Sequence, residues 1–280
     1  KEIPDFLIIH LMTSLPIFLS SFFNSKTKII LRISGLPKIN MIRYLFWKLY
    51  AKKIYKVTCP TKKTYDFLLK KKIFDKQKIF ILQDPIIDMK EFSKKKKEVH
   101  DFVSPIKKKY LISIGRLTKQ KNFELLINFF HKLLDKYSIY ELVIIGEGED
   151  ELKLKKLTRK LDIDKKIHFL GYQKNIYKYL KSAECFILTS LWEDPGFVIV
   201  EAALSNISII SSNCPNGPEE IIQKNGYLFQ NNNLKNLLKK FDEFLGTNKD
   251  TIYQNKLILK KRIKKFSMYQ HYKKLSEIIN

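Results

Sequence analysis

The chain has 280 residues, 45% of them apolar, enough to bury one large core or two medium ones. Nine glycines and nine prolines argue against disorder or a fibrous repeat, and three cysteines without metal-ligand spacing give no zinc or disulfide framework. The net charge of +25, nearly all from lysine, points to an anionic partner, yet arginine is scarce and no nucleic-acid-binding motif occurs. An anionic membrane surface therefore stands against a plain compositional bias toward Lys, Ile and Asn, and nucleic acid is not expected. Cys59, Cys185 and Cys214 each sit in or beside an apolar run, so buried reduced thiols and a cytoplasmic setting are expected.

The predicted elements alternate between strand and helix, the pattern of parallel sheets covered by helices on both faces. Residues 1–104 read as a first region: strand 6–10, helix 14–23, strand 28–33, helix 40–52, strand 54–58, helix 61–71 and strand 78–82. The apolar run from Phe6 to Phe23 is broken by His10, Thr13, Ser14, Pro16, Ser20 and Ser21, which favours strand, loop and helix over a membrane span. No signal-peptide pattern is clear there. Residues 41–55 mix aromatics with lysines, a composition that suits either a core helix with exposed lysines or a membrane-interface helix. Lys94 to Lys97, followed by Ser104-Pro105, reads as an interdomain linker. The second region, 105–280, runs strand 110–114, helix 121–136, strand 141–145, helix 149–161, strand 167–170, helix 174–181, strand 185–189, helix 196–205, strand 208–211, helix 217–223, strand 226–229 and helix 233–245. A basic helical stretch at 251–279 closes the chain.

The segment from Ser190 to Ala203 is the most informative. Glu193 and Glu201 stand eight positions apart, one in a turn and one about a turn into a helix. Glu141 and Glu149 share that spacing, so spacing alone means nothing. The setting distinguishes the first pair: a β-rich run ends in a turn with Asp194, Pro195 and Gly196, and an apolar helix follows. A helix N-terminus after a strand-end turn attracts anions through its unpaired N–H groups and its dipole. Glu201 lies too deep in the helix to cap it and can reach sideways toward a polyhydroxyl group.

Other motifs accompany this one in order. Ile114-Gly-Arg-Leu-Thr-Lys-Gln-Lys121 follows an apolar strand, and Leu142-Val-Ile-Ile-Gly-Glu-Gly148 closes the next. Ile167-His-Phe-Leu-Gly171-Tyr172, Pro215-Asn-Gly-Pro-Glu-Glu220 and Asn225-Gly-Tyr-Leu-Phe229 come after. Together they resemble the nucleotide-sugar site of retaining glycosyltransferases of the GT-B fold, family 4 (group 1), over about residues 110 to 230. The resemblance implies two Rossmann-like domains facing across a cleft. The first is expected to be incomplete, because the chain starts after the family's first glycine-rich loop. It also implies transfer of a sugar from a nucleoside diphosphate to a glycan or lipid-linked acceptor, as in polysaccharide or lipopolysaccharide synthesis. The setting it implies is the cytoplasm, with a peripheral place on the inner face of the membrane. A non-catalytic partner subunit or a glycan-binding module is the rival reading, since fold alone does not fix function.

By the same resemblance, Arg116 and Lys121 stabilise the leaving diphosphate, Glu193 meets the donor sugar and Glu201 the ribose. Gly115 and Gly171 border the nucleotide, and Gly196, Phe197 and Val198 offer backbone N–H groups to the phosphates. Neither a metal nor another cofactor is expected, because the cations come from side chains. Glu219 and Glu220 read equally well as helix-dipole partners. In the first region His10 matches only the start of the family's acceptor-side pattern. Ser34 replaces the usual His, leaving Arg32 and Ser34 as acceptor-side candidates. Asp194-Pro195 also lengthens the turn and displaces Phe197 by two positions relative to the family pattern.

Overall fold

A computed structural model of the chain describes residues 3–10, 14–20, 26–99 and 102–280. It divides into two compact units, one comprising Lys1–Pro85 with Met268–Asn280 and the other Ile86–Ser267. The division falls earlier than the expected linker near 104, for a reason visible in the lysine run. Lys94 to Lys97 form the last turn of a helix, Met89–Lys97, where cations suit the negative end of the helix dipole. Asp88 caps its start by accepting from Lys90 N and Glu91 N at 2.8 and 3.2 Å. The helix belongs to the second unit: Phe92 meets the Tyr177 ring edge-on at 5.0 Å, and Asn175 Nδ2 donates to the Lys95 carbonyl and to Glu98.

In the first unit, strands β1 (Phe6–His10), β2 (Lys28–Arg32), β3 (Ile54–Cys59) and β4 (Ile79–Ile81) form a parallel sheet in the order β1-β2-β3-β4. Helices α1 (Ser14–Ser20), α2 (Met41–Tyr50) and α3 (Lys62–Lys71) connect them, and the expected extension of the first helix to 23 lies outside the described residues. Ile30, Leu31, Ile54, Val57 and Leu68 are buried. The helix Met89–Lys97, α4, opens the second unit.

There, strands β5 (Tyr110–Ile114), β6 (Glu141–Ile145), β7 (Ile167–Phe169), β8 (Cys185–Leu188), β9 (Ser208–Ser212) and β10 (Tyr227–Phe229) form one parallel sheet, ordered β10-β9-β8-β5-β6-β7. Between them run α5 (Phe123–Leu134), α6 (Glu151–Lys160), α7 (Tyr177–Leu180), α8 (Phe197–Leu204) and α9 (Pro218–Ile222), followed by α10 (Leu234–Gly246) and α11 (Lys249–Arg262). Side chains alternate across the sheet, so Tyr110, Ile112 and Ile114 join one core with α8 and α11. Leu111, Leu142 and Ile144 join the other with α5 and α10. Both faces are apolar and covered, as a parallel sheet requires.

The chain's direction of growth along the sheet reverses where β5 pairs β8, with Leu111 opposite Cys185 and Ile112 opposite Phe186. In a doubly wound sheet this switch point opens a crevice at the carboxyl ends of the strands, where ligands bind. The basic terminal stretch is two helices rather than one: α11 stays with the second unit, and α12 (Met268–Ile279) joins the first. His271 Nδ1 donates to the Gln83 carbonyl within that first unit. All three cysteines are buried thiols, and burial raises the pKa of Cys214 to about 11. No helix among the described residues is long and apolar enough to cross a membrane.

Candidate active site

Two adjoining cavities lie at the switch point of the second unit. The first, of about 440 Å³, is bordered by Arg116, Lys121, Glu193, Gly196, Phe197 and Val198. The second, of about 470 Å³, is bordered by Lys95, Gly146, Glu147, Tyr172, Gln173 and Lys174. Ile114, Gly115, Arg116 and Glu201 line both, so they form the shared wall. Volumes of this size suit small-molecule ligands.

The loops after β5 and β8 are clipped together. Leu191 N donates to Gln120 O at 2.8 Å, Gln120 Nε2 to Trp192 O at 2.9 Å, and Thr189 Oγ1 to the carbonyls of Lys121 and Asn122 at 3.0 Å. This clip brings Lys121 Nζ within 2.6 Å of Glu193 Oε1. Ser190 Oγ donates to the same oxygen at 2.5 Å, and Glu193 N donates to Pro215 O at 3.1 Å. Glu193 is 4% exposed, so its charge is held by a fixed cation and a fixed hydroxyl. Lys121 and Glu193 are thus an ion pair, whereas the sequence offers them only as separate groups.

The lengthened turn is built around Gly196. Its φ of +93° lies where only glycine is relaxed, and an added Cβ would stand 3.2 Å from Ile199 Cδ1. Gly217, at φ +140°, lies so close to the Pro195 carbonyl that a Cβ would fall 1.8 Å from its oxygen. The turn after β8 thereby seats on the turn after β9, and Asn216 Nδ2 donates to Asp194 at 2.5 Å. Among the described residues no side chain caps α8, and Gly196, Phe197 and Val198 line the cavity, so the helix N-terminus is available to an anion there.

Arg116 and Glu201 differ from Glu193 in making no side-chain hydrogen bond or ion pair among the described residues. Arg116 is exposed, and its guanidinium makes no hydrogen bond or ion pair within the described chain. The Glu201 carboxylate is half-buried and likewise has none. Burial raises its pKa, nearby Lys95 opposes the rise, and Glu91 adds to it. An unpaired cation and an unpaired carboxylate on one cavity wall leave their hydrogen-bonding capacity to a ligand.

Other candidates separate from the site. Gly171 sets the turn, with its carbonyl accepting from Gly146 N at 2.8 Å, while its neighbours Tyr172 and Gln173 line the second cavity. Glu219 and Glu220 open α9 and line neither cavity. In the first unit Arg32 is buried and donates to the Leu82 carbonyl at 2.7 Å and to Asp84 at 2.5 Å, so it is a structural pin rather than an acceptor-side group. Ser34 bonds His10 Nε2 at 3.0 Å. The residues missed in the sequence are Lys95, Ser190 and Tyr172. Lys95 was hidden in a run read as a linker. Ser190 and Tyr172 lie within quoted motifs without a role of their own, and only the loop clip and the cavity show what they touch.

The sequence matches the glycosyl transferases group 1 family over residues 94–264, more than half of the chain, and the chain belongs to that family. It is 42% identical over 111 residues to an uncharacterized glycosyltransferase of Methanocaldococcus jannaschii, covering 40% of this chain and 27% of that protein. Over 211 residues it is 26% identical to the Campylobacter jejuni N-acetylgalactosamine-N,N'-diacetylbacillosaminyl-diphospho-undecaprenol 4-alpha-N-acetylgalactosaminyltransferase, covering 72% of this chain and 56% of that enzyme. The chain therefore spans from about a quarter to just over half the length of these curated relatives. Among solved structures, Anabaena HepE in complex with UDP and glucose superposes with a TM-score of 0.76 at 12% identity, over 98% of this chain and 77% of that one. This likeness shows the fold, which is GT-B with Rossmann-like α/β units.

Proposed function

We propose that the chain is a retaining glycosyltransferase of family 4 that uses a nucleoside-diphosphate sugar as donor. The observation that carries this reading is the shared wall of the two cavities, where unpaired Arg116 faces the same space as unpaired Glu201 beside the uncapped start of α8. In this reading the diphosphate lies against Arg116 and the N–H groups at Gly196, Phe197 and Val198. Bond cleavage builds charge on its oxygens, and a bidentate guanidinium with oriented N–H groups stabilises that charge. Glu201 accepts from the ribose hydroxyls. The second cavity holds the base, with exposed Tyr172 at its rim and Gly115 and Gly171 shaping its turns. Glu193, held in place by Lys121 and Ser190, meets the donor sugar and stabilises a forming oxocarbenium ion.

Attack on the face the diphosphate leaves retains configuration, with the leaving phosphate as base. Arg116, Lys121 and the helix terminus supply the positive charge, so this route needs neither a metal nor another cofactor. The acceptor class is a glycan or lipid-linked saccharide, in line with the undecaprenol-linked name of the Campylobacter jejuni relative. Cell-surface polysaccharide synthesis in the cytoplasm is the accompanying setting. The test is to incubate the chain with UDP-, GDP- and ADP-sugars and follow nucleotide release and the anomeric configuration of the product. Release from one donor class, abolished in Glu193→Ala, supports the reading. Inversion would remove the retaining step, and activity unchanged in Glu193→Ala would remove the assigned site.

A further inference from the structure

A further cavity, of about 220 Å³, lies in the second unit and shares no bordering residue with the two cavities at the switch point. It sits at the other end of α8. Glu201 borders the earlier pair, whereas Leu204, Ser205 and Asn206, at the carboxyl end of that helix, border this one. Its apolar wall comes from Phe92 of α4, Val99 just beyond it, Tyr177 of α7 and Leu204. Val99 and Leu204 are buried, and the Phe92 ring meets the Tyr177 ring edge-on at 5.0 Å. Phe92 and Tyr177 pack on the core that holds Ile199 and Leu204, so the wall is formed before any ligand arrives.

Three lysines from separate elements complete the border: Lys96 of α4, Lys181 at the end of α7 and Lys260 of α11. All three are exposed, and none makes a side-chain hydrogen bond or ion pair among the described residues. No carboxylate borders the cavity among those residues. Each lysine stands at the carboxyl end of its helix, where the dipole offsets at most about half a charge, so the three ammonium groups keep a surplus of about 1.5 positive charges. An apolar wall under a rim of cations fits a ligand with an apolar body and an anionic head. The space suits one ring or a short alkyl group, since a dry cavity of about 150 Å³ already admits benzene.

We infer that this cavity is a binding site for a small amphiphilic anion, a carboxylate or phosphate monoester carried on one ring or short alkyl group. The apolar wall selects this class over a bare anion, and the unpaired lysines select it over a neutral apolar molecule. The inference is independent of the donor site and stands whether or not the chain transfers sugar.

Calorimetric titration of the intact chain with phenyl phosphate, inorganic phosphate and phenol tests it. Saturable binding of phenyl phosphate is expected. Inorganic phosphate and phenol should each bind at least about tenfold more weakly, because one lacks the buried ring and the other the charge. Lys181→Glu with Lys260→Glu should weaken phenyl phosphate at least about tenfold, since two attractions at the rim become repulsions. Lys156→Glu with Lys160→Glu makes the same charge change at exposed positions of α6, which packs on the opposite face of the sheet. At physiological salt that pair should leave binding unchanged, because distant exposed charges are screened. Arg116→Ala should also leave it unchanged, which separates this cavity from the anion position at the start of α8. Circular dichroism melts check that every variant is folded. No saturable binding of phenyl phosphate, equally tight binding of inorganic phosphate or phenol, an equal loss in the α6 pair, or loss in Arg116→Ala would overturn the inference.

Discussion

Glu193 and Glu201 stand on either side of the start of α8, in opposite surroundings. Glu193 is enclosed, with Lys121 at 2.6 Å and Ser190 at 2.5 Å fixing one carboxylate oxygen. Glu201 makes no hydrogen bond or ion pair among the described residues, borders both cavities and is shifted toward the neutral form by burial. One carboxylate is organised before any ligand arrives, and the other is held for a ligand at some expense to the free protein. Residues that complete their own networks support the fold as well as the site, while residues left open reveal where a ligand fits.

The sharpest way to break this contrast is to remove an open residue whose loss leaves the fold intact. Arg116→Ala should lower sugar transfer about 10²–10³-fold, the range for losing a donor aimed at developing charge. Its melting temperature should stay unchanged, because the guanidinium holds nothing within the described chain. Arg116→Lys should restore little, because it cannot supply the planar fork. Steady-state kinetics beside thermal melts would check both.

Removing the enclosed partner should damage the fold as well as the activity. Glu193→Ala leaves Lys121 without its counter-charge and should destabilise by about 2–4 kcal/mol. For a unit of this size that is a fall of about 5–10 °C in Tm. Glu193→Gln keeps an acceptor for Ser190 and should fall less, which differential scanning calorimetry would resolve.

Glu201→Gln should separate stability from binding. The folded carboxyl pKa is raised by burial, so wild-type stability from this group is fully present below the unfolded carboxyl range. It is lost as pH rises through the folded value. The Gln variant removes that loss and should melt higher at neutral pH, with the gap closing as pH falls toward 4. Nucleotide affinity should drop about tenfold, the effect of one missing hydrogen bond to a charged group. Lys95→Met should leave Glu201 more easily protonated, so its nucleotide binding weakens most on the acid side. The smallest effect expected is for Gly196→Ala, about 1–2 kcal/mol, since alanine is strained at φ +93°.

The alternation of strands and helices was legible because strands announce themselves as apolar runs, and the candidate site residues could be placed at their ends. Arg116 and Glu193 followed from that placement. The Lys121–Glu193 pair was not legible, because residues 72 positions apart meet only through the clip between the loops after β5 and β8. Lys95 stayed hidden for a different reason. Four consecutive lysines between Phe92 and Val99 carry no helical periodicity, and α4 is fixed by its Asp88 cap and by packing on Tyr177. Arg32 was misleading because it stands beside Ser34, where the resembled family carries its acceptor-side His, and only burial beside Asp84 shows it to be a pin.

Calorimetric titration of the chain with UDP, GDP and ADP, beside Arg116→Ala, tests most directly that the wall shared by the two cavities is a nucleotide-sugar site. Saturable binding of one nucleotide, lost in Arg116→Ala with its melting temperature intact, is the expected result and would name the donor class. Binding of equal strength in Arg116→Ala, or no binding of any of the three, would contradict it.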